Sequence, residues 1–306
     1  MGLEKGLQAS STRPEGRWVG DIAEERVEAL YTRYTAALQN PRLRSEPRPG
    51  TFPHELGRLL NRYKTGTKVA KHRRVKMSNR WATPTSFLRH GICAVYDIQQ
   101  ERFASPLNFD LAIGTYWSAF AKDAIFGATH DAYSSRMTGC GYMNPEYEQE
   151  GLEKALQWAI WSASGSDPTC FVAVFPRWNN HRYMNLLAHD AVRVVARFEE
   201  GTFAFNPPDH WTGTTRQAGK AKWQVMVIEV SNERGREEFI RGDLAQIETE
   251  GRAIGAVQAR DRLQAAVHLG HRAVWADQSA GFVSARPYRE NRSTGGRIGR
   301  CDAGIP

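Results

Sequence analysis

Apolar positions recur at helical spacing between Glu148 and Ala163, where Leu152, Ala155, Leu156, Ala159, Ile160 and Ala163 fall three or four residues apart. This pattern predicts an amphipathic helix with one buried face. The run Cys170–Phe175 that follows has no polar position and stops at Pro176, which predicts a buried strand. Residues Val192–Phe198 alternate in part, and Trp223–Val230 (WQVMVIEV) is nearly all apolar, so the latter reads as a central strand. A shorter helix fits Asn179–His189, and residues 94–98 (AVYDI) read as a short strand. Strands and helices in alternation predict an α/β fold: a sheet with helices on both faces. Upstream, Asp21 is placed to cap a helix carrying Val27, Leu30, Tyr31, Tyr34 and Leu38, and a second helix fits His54–Tyr63. Downstream, residues 236–275 read as helical, with Phe239, Ile240, Leu244, Ile247, Leu263 and Val267 on apolar faces.

Polar stretches divide this pattern. Residues 1–18 are expected to be disordered, 19–92 to form a helical and basic region, 93–235 the α/β core, 236–280 C-terminal helices, and 281–306 an Arg/Gly-rich tail. Residues 40–53 read as a Pro- and Arg-rich linker. Residues 101–133 hold many aromatics without clean periodicity, which suits either a ligand-facing wall or ordinary core packing.

Charge adds a partner. Lys and Arg outnumber Asp and Glu by 41 to 33, giving a net charge of +8 and a pI near 9.4. A basic surplus favours a polyanion, most often nucleic acid. Arg62, Lys64, Lys68, Lys71, Arg73, Arg74, Lys76 and Arg80 form a run with no acidic residue. It is either a solvated charged segment or a phosphate-contacting patch, with Lys71, Arg73 and Arg74 as its centre. Trp81, next in the chain, either stacks on a base or anchors the segment to the core. The four cysteines have no metal-ligand spacing and read as reduced, mostly buried thiols of an intracellular protein. No apolar run approaches the roughly 18 residues of a membrane span, so no membrane partner is expected. The N-terminus lacks the apolar core of a secretory signal. Nothing in the pattern sets an oligomeric state.

The candidate chemistry lies just before the amphipathic helix, at Asn144-Pro145-Glu146-Tyr147. An exocyclic amine on adenine is a poor nucleophile because its lone pair is delocalised into the ring. Hydrogen bonds from that amine to the Asn144 carboxamide and the Pro145 carbonyl would localise the lone pair, and stacking on Tyr147 would hold the ring. Reaction with a sulfonium methyl donor then follows from proximity and orientation, with no metal required. The structural alternative is an ordinary turn in which Asn144 caps the helix. A second Asn-Pro-Pro, at Asn206-Pro207-Pro208-Asp209-His210-Trp211, is followed by a Gly- and Thr-rich loop and reads as a turn, with Trp211 as its one candidate substrate contact. Gly139-Cys140-Gly141 is a lone GxG and carries little by itself.

The segments ERFASPLNFD, YWSAFAKDAIFG, NPEYEQEGLEKALQ and FVAVFPRWNN, in that order, resemble the methyltransferase core of the phosphorylated CTD-interacting factor family. The resemblance spans about Phe103 to Val230. It implies a Rossmann-like methyltransferase sheet beside helical additions, and S-adenosylmethionine as cofactor. It also implies methylation of the exocyclic amine of the cap-adjacent adenosine in messenger RNA, in the nucleus. On the family's Asn-Pro-Pro-Phe signature, Asn144 would accept from the target amine, Pro145 would lend its carbonyl and Tyr147 would stack. Ser105, Pro106 and Asn108, and likewise Asp123, Phe126 and Gly127, match blocks implied to hold the donor. Trp178 follows the strand where the family has Pro-Glu-Trp and either walls the pocket or packs on the sheet edge; Arg177 stands in place of the acidic residue. Glu146 replaces the second proline, which restores a backbone donor and brings a carboxylate near the expected sulfonium. No short segment shows the paired tryptophans and closing proline of a three-stranded WW module, so docking to a phosphorylated polymerase tail is not supported. RNA is therefore the first expectation for substrate, with DNA adenine, or a non-catalytic nucleic-acid binder on the same fold, as alternatives.

Overall fold

The computed structural model describes residues 22–40, 50–69, 81–206 and 220–256. Two helices come first, α1 (Glu24–Gln39) and α2 (Phe52–Val69). A helical segment follows, made of α3 (Thr85–Phe87), a π turn (Leu88–Ile92) and α4 (Cys93–Val95). Then come β1 (Gln100–Ala104), β2 (Tyr116–Ser118), a 3-10 helix (Ala121–Phe126), β3 (Thr129–His130) and β4 (Gly139–Met143). The second half holds α5 (Gln149–Ala163), β5 (Thr169–Pro176), a 3-10 helix (Arg182–Ala188), β6 (Val192–Phe198), β7 (Val225–Ser231) and α6 (Glu233–Phe239). Residues 245–256 are also helical.

The strands form one seven-stranded sheet in the order β3-β2-β1-β4-β5-β7-β6. Strands β3 to β5 pair in parallel, and β7 runs antiparallel between β5 and β6. Every residue of β5 and β7 is buried, which requires cover on both faces of the sheet. The expected mixed α/β, Rossmann-like fold is therefore present. The chain runs outward from β1 to β3 and then returns to place β4 on the other side of β1. The switch point of the sheet thus lies between β1 and β4, in register as Glu101↔Tyr142 and Arg102↔Met143.

The N-terminal helices form a second core with the β1–β2 half of the sheet. Leu30 and Tyr34 of α1 and Leu56, Leu59 and Leu60 of α2 are buried with Leu107, Phe109, Tyr116 and Phe126. Phe109 and Tyr116 stack at 4.1 Å, and the Arg26 and Arg33 guanidiniums lie over the Phe109 ring at 4.7 and 4.5 Å. These contacts hold α1 against the loop that follows β1.

Several expectations need correction. Residues 94–98 are not a strand: Val95 ends α4, and Tyr96 makes one isolated bridge, to Ile240. Its hydroxyl donates to the buried Glu229 carboxylate at 2.7 Å, so the apolar run is buried through side chains and not through a ladder. The helix at 52 runs from Phe52, inside the expected linker, to Val69. Ala23, not Asp21, is the N-cap of α1, and its side chain makes no cap bond. Residues 236–275 are not one helix, since α6 ends at Phe239 and a second helix covers 245–256. The expected segments 1–18 and 281–306, Cys301, the run from Lys71 to Arg80 and the loop with His210 and Trp211 lie outside the described residues.

Candidate functional site

The loops leaving β1 and β4, the two strands at the switch point, enclose a cavity of about 260 Å³. Open α/β sheets bind ligands in this position, beyond the carboxyl ends of the central strands. The β1 loop contributes Leu107 through Leu111, β4 and its loop contribute Tyr142 and Asn144, and Ala82, Thr83 and Arg89 close the cavity from the segment before the sheet. Tyr142 donates to Thr83 Oγ1, joining two of these walls.

Asn144 sits in the cavity wall, ahead of α5 but not capping it: the N-cap is Glu148, without a side-chain cap bond. The carboxamide Nδ2 donates to the Trp81 carbonyl at 2.8 Å. A carbonyl only accepts, so this bond fixes which end of the carboxamide is which. Oδ1 is left buried without a hydrogen-bond partner. An unpaired buried acceptor costs about 1–3 kcal/mol, which a donor arriving from a ligand would recover. Pro145, next in the chain, is buried.

Tyr147 does not offer a stacking face in this structure. It is 3% exposed, its ring meets Phe205 edge-on at 5.4 Å, and its hydroxyl donates to the Val174 carbonyl at 2.8 Å. Burial pushes its phenol well above the usual range. The turn Asn144–Tyr147 pins α5 to β5 through this ring.

The donor-side expectations divide. Asn108 lines the cavity, and its Oδ1 accepts from both the Ser105 backbone N–H and the Ser105 hydroxyl at 2.7 Å, a local knot that shapes the loop through Pro106. Ser105 and Pro106 are buried in that turn. Asp123, Phe126 and Gly127 lie elsewhere. Asp123 is fully buried and accepts from Arg62 at 2.5 Å, Tyr63 at 2.6 Å and Ser118, which ties α2 to β2. Phe126 belongs to the N-terminal core. Gly127 closes the 3-10 helix with φ +80°, a left-handed backbone that favours glycine, beside the Arg33 side chain. These three are structural by placement. Arg62 is likewise spent on Asp123 and is not a free member of the basic run.

On the other side of Asn144, Trp81 meets Trp223 at 6.2 Å, and Trp223 meets Trp178 at 5.9 Å. Trp178 also packs on His181 at 4.8 Å. Trp223 Nε1 and His181 Nδ1 are buried without hydrogen-bond partners. Arg177 is committed to Gln224, to which it donates from Nη1 at 2.8 Å. Lys71, Arg73 and Arg74 lie outside the described residues.

Glu101, Asp110, Arg26 and Arg89 were not expected from the sequence and give the cavity its charge. Asp110 pairs with Arg89 at 3.2 Å, and Glu101 accepts the Asp110 backbone N–H at 2.8 Å. Burial, reinforced by the Asp110 charge, pushes the Glu101 carboxyl up to about 7, against the Asp110 N–H and Arg26, which lower it. Phe103, at the same strand end, has φ +62° where the β1–β2 register shifts. A non-glycine residue held there is unusual and marks a site the surroundings must stabilise.

No curated protein matches the sequence. Residues 26–200 match the family model described as the phosphorylated CTD interacting factor 1 WW domain. The matched span runs from α1 through β6, so it includes both strands of the switch point and the whole Asn144 turn. It covers more than half of the chain, and the protein accordingly belongs to the phosphorylated CTD interacting factor 1 family.

Proposed function

We propose that the protein is an S-adenosylmethionine-dependent methyltransferase acting on the exocyclic amine of adenine in nucleic acid, with RNA and its cap-adjacent adenosine as the leading substrate. In this reading the family match marks a catalytic core and not a peptide-binding WW module, and the nucleus is the expected compartment. The observation that carries it is Asn144, a residue of the switch-point cavity wall whose carboxamide is held by Trp81 and whose Oδ1 is buried and unpaired. An acceptor fixed in this way takes an N–H from an amine and draws its lone pair out of the aromatic ring. The mixed sheet, parallel from β3 to β5 with its switch point between β1 and β4, supports the Rossmann-like core that the resemblance implies.

The cavity suits the donor. Its lining sets three carboxyls (Glu25, Glu101, Asp110) against two guanidiniums (Arg26, Arg89) beside the Phe109 ring. That set matches a zwitterion with net positive charge carrying an aromatic base. Bound there, the cofactor supplies an electrophilic methyl group. Asn108 and Asp110 would hold it from the β1 loop, and Glu101 would balance its charge. With Tyr147 sealed, Trp178, Trp223 and Trp81 supply the ring faces for the target base.

The sealing of Tyr147 together with Glu146 favours a second reading, a nucleic-acid-binding protein on a fold of this kind that no longer catalyses. Isothermal titration with S-adenosylmethionine separates the two. Saturable binding that Glu101→Gln weakens supports the enzyme, and absence of binding supports the second reading.

A further inference from the structure

The second Asn-Pro of the chain is tied to the first. Asn206 forms an isolated antiparallel bridge with Ala82: its N–H donates to the Ala82 carbonyl at 2.8 Å, and its carbonyl accepts the Ala82 N–H at 3.2 Å. That Ala82 N–H belongs to the same peptide unit as the Trp81 carbonyl, which accepts from Asn144 Nδ2. A trans peptide is planar and points its N–H and its carbonyl in opposite directions. Fixing the N–H on Asn206 therefore aims the carbonyl at Asn144. The backbone of Asn206 suits this task, because a residue that precedes proline is held to the extended range. Asn206 is a strand-like contact where the sequence reads as a turn.

Phe205 carries the same clamp into the core. Its ring is fully buried, lies 6.4 Å from that of Trp81 and meets Tyr147 edge-on at 5.4 Å. Phe203 packs behind it at 4.9 Å, and the Phe203 carbonyl accepts the Ala221 N–H at 2.9 Å, which anchors the segment. One segment thus grips both ends of the Asn144–Tyr147 turn, through the Trp81 carbonyl at Asn144 and through the Phe205 ring at Tyr147. Residues 203–206 do not line the cavity, so their influence on it passes through the turn.

We propose that Phe205 and Asn206 are positioning residues for the Asn144 carboxamide. They hold the Trp81–Ala82 peptide so that the amide nitrogen is engaged and Oδ1 remains as the acceptor. The inference rests on the role given to Asn144 above. A carboxamide released from Trp81 is free to rotate and to present its nitrogen, a donor, where an acceptor is needed. Loosening the clamp therefore slows methyl transfer and leaves donor binding intact.

The test reads the full chain in two ways. Hydrogen exchange of 15N-labelled asparagine carboxamides follows Asn144, whose signal is identified by its loss in Asn144→Ala. Asn232 is the control: its Nδ2 donates to the Gly165 and Asp167 carbonyls at the other end of the β4–β5 pair. Phe205→Leu is expected to speed exchange at Asn144 about tenfold and to leave Asn232 unchanged. In methyl-transfer kinetics the same variant is expected to lower kcat about tenfold, with donor affinity in titration within about twofold of wild type. Should Phe205→Leu not fold, Asn206→Pro, which removes the Asn206 N–H from the bridge, is read in the same way. Unchanged exchange at Asn144, or equal acceleration at Asn144 and Asn232, overturns the positioning role and leaves the proposed function standing. Faster exchange at Asn144 with unchanged kcat overturns it as well. If the wild type transfers no methyl group to nucleic acid, the proposed function falls and takes the positioning role with it.

Discussion

Replacing Glu101 with glutamine should change how stability depends on pH. The carboxyl is 7% exposed, and burial raises it from 4.5 to about 7 in the folded chain. Between those values the folded protein binds more protons than the unfolded chain, so stability falls as pH rises. The contribution of this group is fully present below about 4.5 and is lost as pH passes through about 7. A shift of that size corresponds to about 3 kcal/mol, or a change in melting temperature on the order of 10 °C. Glutamine has no charge to desolvate and can still accept the Asp110 N–H. Thermal melts of both proteins from pH 5 to 8.5 are the assay. The wild-type curve should decline across this range relative to that of Glu101→Gln, and the variant should be the more stable above pH 7.5. Parallel curves would refute the account of a carboxyl strained by burial.

Asp123→Asn should cost about 3 kcal/mol in chemical denaturation, because it removes the buried carboxylate that half-buried Arg62 and Tyr63 pair with, while donor affinity in titration stays unchanged. A loss of affinity without a loss of stability would return Asp123 to the donor site. Glu229 is buried between Arg193, Arg236, Tyr96 and Ser231; burial raises its carboxyl, but the bonds from Arg193, Ser231 and Tyr96 outweigh this and its net shift is downward. Glu229→Ala should therefore cost about 2 kcal/mol at neutral pH, allowing for the partial exposure of both arginines. That gap should narrow as pH falls through the lowered carboxyl value, the reverse of Glu101, and melts at pH 7 and pH 3 read both points. Gly235→Ala should destabilise by about 2 kcal/mol or more in urea, since its Cβ would lie 2.1 Å from the Thr169 backbone oxygen, which cannot swing away.

The second half of the sheet was legible because its elements are long and periodic: α5, β5 and β6 fall where their apolar patterns place them, and β7 within two residues. The first half was not. Strand β1 reads Gln-Glu-Arg-Phe-Ala, and its polar residues are buried by particular partners, Gln100 donating to the Thr138 carbonyl and Arg102 lying 3.5 Å over Trp117. Hydropathy cannot anticipate such pairs, and strands of two to five residues leave little periodicity to read. The Asn144 turn was visible as an Asn-Pro between a strand and a helix. The fate of its tyrosine was not, because Phe205 and Val174, which seal it, are distant in the chain. Asp123 reads as a ligand for the same reason: Arg62 and Tyr63 reach it from α2, about sixty residues away.

The central claim is that the Asn144 oxygen accepts the amine of a target adenine. Transfer of labelled methyl from S-adenosylmethionine to capped RNA, uncapped RNA and DNA, by the wild type and by Asn144→Ala, tests it directly. Label on an adenine amine with the wild type, and its loss with a correctly folded Asn144→Ala, is the predicted result. Equal labelling by both proteins, or label on none of the three substrates, would contradict it.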